Sequence, residues 1–141
     1  MTVTQLFRET HYRILVAGGR GWTDVHTVAE KLIWARDNPV DGITAEPRKI
    51  IVVHGHCLKG ADAIADHWAH TWGWIVERHP VLPEEWILRG KAAGPDRNSR
   101  MVALGAHICL AFPFGPSKGT RDTIAKAQAA GIPTFVFEGV L

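Results

Sequence analysis

This sequence predicts a three-layer α/β domain built on a five-stranded parallel sheet of order 3-2-1-4-5. Two observations carry that expectation. Five short apolar runs alternate with four segments of helical periodicity, which is how a parallel sheet comes to be covered on both faces. Three of the strand-to-helix junctions are rich in glycine, and right-handed crossovers bring all such junctions to one edge of the sheet.

The elements follow in order. Residues 1–12 show no clear period and are expected to form an N-terminal arm, leaving 13–141 as a single domain. "ILVAGG" is β-branched and ends in glycines, as a buried strand entering a turn does. Thr23 or Asp24 is placed to cap a helix with Val25, Val28, Ala29 and Leu32 on one face. Asn38-Pro39 stops it, and "VDGITAEPR" reads as a loop. "KIIVVHG" is the second strand. "GADAIADHWAHTW" follows as a helix, with Ala61, Ile64, Ala65, Trp68 and Trp72 on one stripe. "WIVERH" is the third strand. Residues 80–95 hold three prolines and two glycines, so they read as loop with at most one helical turn. A short helix over 96–104 precedes the fourth strand, "HICLAF". A last helix spans 120–130, Gly131 ends it, and "PTFVF" is the fifth strand.

Composition narrows the class. A chain of 141 residues fits one domain that buries about 70% of its unfolded surface. Net charge is only +2 with histidines neutral, so no bulk field demands nucleic acid or membrane as partner. Cys57 and Cys109 are too few for a disulfide scaffold and lack metal-type spacing. No apolar stretch is long enough to span a bilayer, and the N-terminus lacks a signal peptide's apolar segment. A soluble cytoplasmic domain is the expectation.

Three loops carry the chemistry. In "GGRGWTD", Gly18, Gly19 and Gly21 let backbone approach a phosphate at a helix N-terminus. Arg20 can add a bidentate contact and Trp22 a stacking face, against the plainer alternative of a tight turn. The loop matches neither GxGxxG nor GxxxxGK[ST], so a dinucleotide fold and a P-loop triphosphatase are set aside. In "HGHCLKGADAIA", His54 and Gly55 end the strand, while Lys59, Gly60, Ala61 and Asp62 surround a helix start. Asp62 there either complements the helix dipole or contacts a ribose. "FGPSKGTRDT" offers Gly115, Lys118, Gly119 and Thr120 before the last helix. Arg97 and Arg100 flank the start of the helix before it, where an arginine suits phosphate or carboxylate. A metal site on His54, His56, His67 and His70 is not expected. His67 lies about 10 Å along its helix from the loop histidines, and zinc needs ligands within about 2.1 Å of one point.

Taken together, "ILVAGGRGWTD", "VVHGHCLKGADAIADHWA", "GPDRNSRM" and "GPSKGTRDTIAKAQAAGIP" resemble the SLOG superfamily. That group of Rossmann-like domains includes the SMF/DNA-processing-protein-A and LOG proteins, and the likeness is to its small YspA/YpsA-like branch. It runs from about Arg13 to Phe137. The resemblance implies a nucleotide-derivative pocket at the carboxyl edge of the sheet, and homodimers. LOG members are phosphoribohydrolases of nucleoside monophosphates, with an R-K-x-x-M segment and a P-G-G-x-G-T-x-x-E segment. Arg97 and Met101 match the first, with Asn98 in place of the lysine. Gly119 and Thr120 match the "GT" of the second, but Pro116 and Ser117 replace glycines and Thr123 occupies the glutamate position.

Glycosidic cleavage through an oxocarbenium-like transition state is carboxylate work, and threonine has no charge to offer. Binding of a nucleotide or nucleotide derivative, in the manner of a sensor, is therefore the expected function, with no cofactor. A phosphoribohydrolase-like enzyme is the first alternative, with Asp62 or Asp122 as its carboxylate. Single-stranded DNA binding is the second, and the low net charge disfavours it. Apolar helical surface with Trp34, Trp68, Trp72 and Trp86 points to a homo-oligomer, most simply a dimer.

Overall fold

The computed structural model describes residues 10–43 and 48–139. Residues 1–9 of the expected arm and 44–47 of the expected loop lie outside the described residues. Five parallel strands form one sheet in the order β3-β2-β1-β4-β5. They are β1 (His11–Gly18), β2 (Lys49–His54), β3 (Ile75–Arg78), β4 (Ile108–Phe112) and β5 (Thr134–Val136). The helices are α1 (Val25–Asp37), α2 (Ala61–Thr71), α3 (Pro83–Arg89), α4 (Ala93–Ala103) and α5 (Lys118–Ala129). The expected α/β architecture and strand order are both present.

Each strand pattern explains its place. β4 is buried at every position, as a central strand covered on both faces must be. On one face, Val28, Leu32 and Ala35 of α1 join Ala61, Ala65 and Ala69 of α2 over Ile14, Val16, Val52 and Leu110. On the other, Met101 and Val102 of α4 and Ala127 of α5 cover Leu15, Val53 and Cys109. Small alanines on α2 let that helix sit close to the strands.

Two boundaries differ from the reading by pattern. β1 begins at His11, and Tyr12 is fully buried beneath the Arg48 guanidinium. Residues 80–95 are mostly helical rather than loop: α3, a 3-10 turn over Gly90–Ala92 and α4 run on from one another. The prolines stand where helices begin. Pro83 opens α3 and Pro95 lies in the first turn of α4, positions whose N–H groups have no helical acceptor. Gly90, at φ +54°, ends α3.

Candidate functional site

The chain reverses direction across the sheet between β1 and β4, and the loops after β1, β2 and β4 meet there. Glycines set how closely. A Cβ on Gly18 would lie 2.1 Å from Ala61 Cβ, and one on Gly60 would lie 2.1 Å from the Gly19 carbonyl oxygen. A Cβ on Gly19 would lie 2.6 Å from Ser117 Oγ. The first loop is thus wedged between the starts of α2 and α5, with backbone against backbone.

A cleft of about 1080 Å³ opens over this junction. Among the expected site residues, Gly18, Gly19, Arg20, Gly21, Gly55, Lys59, Asp62, Arg97, Asn98, Gly119 and Thr120 line it. Six others do not. Trp22 is buried edge-on against Phe112, and its Nε1 donates to the Asp24 carbonyl. Gly60 and Ala61 pack behind the first loop. Gly115 lies on the outer side of its turn, where its carbonyl accepts from Arg121, and Lys118 is exposed. His54 is buried below the floor.

His54 serves the scaffold through its tautomer. Its Nδ1 accepts from the His56 backbone N–H at 2.9 Å, so Nε2 carries the proton and donates to Asp66 Oδ2 at 2.7 Å. Burial holds the ring below its ordinary pKa and neutral, against the pull of Asp66. Asp66 in turn accepts two bonds from Arg78. Ligand atoms of His54, His56 and Asp66 lie within 4.8 Å of one another. A cation there would have to displace the Nε2 proton and compete with Arg78 for Asp66, and metal-bound histidines normally donate rather than accept through the other nitrogen. His67 and His70 stand outside the group.

Arg97 and Asn98 form the side wall. Arg97 Nη1 donates to the Gly55 and His79 carbonyls, and its Nε donates to Asn98 Oδ1. Asn98 Nδ2 reaches the Gly119 carbonyl and Asp122. These bonds tie the loops after β2 and β3 to the first turn of α5. Gly55 is where the guanidinium crosses: a Cβ there would lie 2.7 Å from Arg97 Cζ.

Two features give the cleft its chemistry. The first is the start of α5. Ser117 holds φ +42°, a left-handed conformation uncommon outside glycine. Its Oγ bonds the N–H and the carbonyl of Phe114, so it does not cap α5, and no acidic residue stands in that first turn. The amides of Lys118, Gly119 and Thr120 have no acceptor within the helix, and a Cβ on Gly119 would meet nothing within 4 Å. Thr123 lines the cleft one turn on, its hydroxyl donating to the Gly119 carbonyl.

The second is Asp62, 6% exposed. Its Oδ2 accepts from the Cys57 N–H at 3.3 Å, while Oδ1 is buried with no hydrogen-bond partner among the described residues. Burial pushes its pKa up to about 7, opposed by the Cys57 N–H and the charge of Arg97. An unsatisfied buried acceptor costs about 1–3 kcal/mol. By contrast Asp122, the other candidate carboxylate, is paired with Lys126 and Asn98.

Sequence reasoning had not assigned His56, Cys57, Pro80, Val81, Trp86 or Phe114 to the cleft. Pro80 and Val81 follow β3, so the crossover rule that brought the other loops together also places them at this edge. Nothing in the local pattern marked Trp86. A second cleft of about 850 Å³, lined by Arg36, Trp72 and Trp74, lies at the opposite edge, beside the first residues of β2 and β3, away from every glycine-rich loop.

Comparison with known proteins bears on this site. The family model described as YspA, cpYpsA-related SLOG matches residues 12–82, a span that includes the first two loops. The chain is 44% identical over 129 residues to the Gene 61 protein of Mycobacterium phage D29, covering 89% of this chain and 95% of that one. A solved structure, the C-terminal domain of a hydrogenase from Pyrococcus furiosus, aligns over 92% of each chain with a TM-score of 0.43 and 14% identity.

Proposed function

The chain belongs to the YspA, cpYpsA-related SLOG family, and from that premise we propose that it binds a nucleotide or nucleotide derivative, phosphate first, in the cleft between β1 and β4. Membership in the family itself suggests a nucleotide-related binding domain. The observation that carries the finer reading is the first turn of α5. It offers uncapped backbone N–H groups, no acidic side chain and open space above Gly119. Aligned peptide dipoles and unpaired donors are what a phosphate oxygen requires. Arg20 and Lys59 on the rim supply positive charge. The loops of Gly18–Gly21 and Lys118–Thr120 face the same anion from two sides.

Binding rather than hydrolysis fits the wall of the cleft. Position 123 faces the ligand space but carries a threonine, itself engaged with the Gly119 carbonyl. The test is calorimetric titration of the intact chain with nucleoside monophosphates, beside Gly119→Val. The open space accommodates the new side chain without disturbing the fold, but the valine then occupies the approach of the anion. Affinity should fall at least about ten-fold, the worth of one charge-assisted bond. An unchanged affinity in that variant would remove the phosphate from α5. Release of free base by the wild-type chain at ordinary enzymic rates would show a hydrolase instead.

A further inference from the structure

We infer that the cleft accepts its ligand in one direction only, with the phosphate at α5 and the sugar hydroxyls at Asp62, so that it selects ribose-type ligands carrying free hydroxyls. The inference rests on the proposed nucleotide reading and assigns the other end of that ligand.

The two helix starts beside the first loop are not equivalent. At α2, the Gly19 carbonyl packs directly on Gly60, so the backbone there presents an acceptor to its neighbours. Asp62 stands in the first helical turn. An anion approaching α2 meets a carbonyl and a carboxyl. At α5 the first turn holds no acidic residue, and a Cβ on Gly119 would meet nothing within 4 Å. The same phosphate is therefore attracted to one side of the loop and repelled from the other.

Asp62 needs a partner of opposite character. Its Oδ1 is buried and unpartnered among the described residues, and Asp62 itself is one of the residues lining the cleft. The groups facing it are few. From the loop after β2 come the Cys57 and Gly55 N–H groups; from α4 comes the Arg97 guanidinium. Arg97 does not close the gap, because its Nε and Nη1 are held by Asn98, Gly55 and His79. The missing group is a hydrogen-bond donor without negative charge. Sugar hydroxyls are such donors, and acidic side chains take ribose hydroxyls elsewhere in doubly wound sheets. A buried acceptor discriminates strongly against an analogue that lacks its donor, because the unpaired group stays buried.

The test compares the tightest binder among AMP, GMP, CMP and UMP with its 2′,3′-dideoxy counterpart, by calorimetry on the intact chain. The wild type should bind the dideoxy compound at least about ten-fold more weakly. Asp62→Leu, which keeps the bulk but has no acceptor, should bind both alike, near the level of the wild type with the dideoxy compound. Equal wild-type affinity for the two, with binding still lost in Gly119→Val, overturns the sugar assignment and leaves the phosphate reading standing. A preference that persists in Asp62→Leu gives the hydroxyls to another group and also overturns it. Binding of neither nucleotide defeats both readings. The wild-type comparison needs no variant, so it decides the question even if Asp62→Leu fails to fold.

Discussion

Burial raises the Asp62 carboxyl to about 7 from the 3.8 of an unfolded chain, which makes this residue's effect on stability run opposite to that of most carboxylates. The folded state binds the proton more tightly, so its contribution is fully present below pH 3.8 and is lost as pH rises through 7. Glu77 behaves in the usual way: Arg13 and then His79 hold it down at about 2, so its support is lost only as pH falls from 4.5 toward 2. His54, lowered by burial, loses its contribution below 6.5. Comparing Asp62→Asn with wild type isolates the first term. The stability of the variant relative to wild type should rise between pH 5 and pH 8 by on the order of 2–4 kcal/mol, measured by urea unfolding at both values. A constant difference would mean that the carboxyl titrates in its ordinary range. The sequence placed Asp62 at a helix start, where either dipole complement or ribose contact fits. Spacing alone does not show whether a side chain's second oxygen is paired. The same holds for Arg97, whose charge was legible but whose two backbone acceptors, on Gly55 and His79, come from distant stretches of chain.

At the scale of elements, glycines at the junction are not interchangeable, and this is open to measurement. Gly18→Ala drives a methyl to 2.1 Å from Ala61 Cβ, so β1 and α2 must part. Overpacking of this kind costs about 1–3 kcal/mol or more, and a lowered urea midpoint should report it. Gly119→Ala meets open space in a helical turn. It should change stability by no more than about 1 kcal/mol, in the favourable direction. If the two substitutions cost the same, the first loop is not wedged as described. All five strands and their order were legible, because buried parallel strands write themselves as continuous apolar runs between glycines. Helix α3 and the first residues of α4 were not. Three prolines and two glycines in 80–95 suggested a loop, yet Pro83 and Pro95 sit in first turns and Gly90 at an end. Such residues punctuate helices as readily as they break them, and composition alone does not separate the two cases.

Across the whole molecule, apolar surface collects beside the ligand cleft. Ile87, Leu88 and Leu58 are each at least 80% exposed, and Leu82 and Trp86 about half. Leu58 and Trp86 also line the cleft itself, so this patch is continuous with the proposed site. The other exposed tryptophan, Trp34, rests edge-on against Phe135 of β5 on the far side of the sheet order. Trp68 and Trp72 are half-buried in a stack with Trp74. Among the described residues no helix is long and apolar enough to cross a membrane. The charges around α3 are matched within the chain, Glu85 with Arg100 and Arg89 with Asp96. A face without a strong field of its own suits a second copy of itself better than a highly charged partner. Burying a large aliphatic side chain is worth about 1.5–3 kcal/mol, and four from each copy give a gross gain on the order of 12–24 kcal/mol. That range overlaps the 4–15 kcal/mol or so that association costs, so a dimer of modest affinity is expected. Light scattering at high micromolar concentration should give twice the chain mass, and the double substitution Ile87→Asp, Leu88→Asp should return it to a single chain without lowering the urea midpoint. A single-chain mass for the wild type at that concentration would leave α3 exposed and the expectation of a dimer refuted.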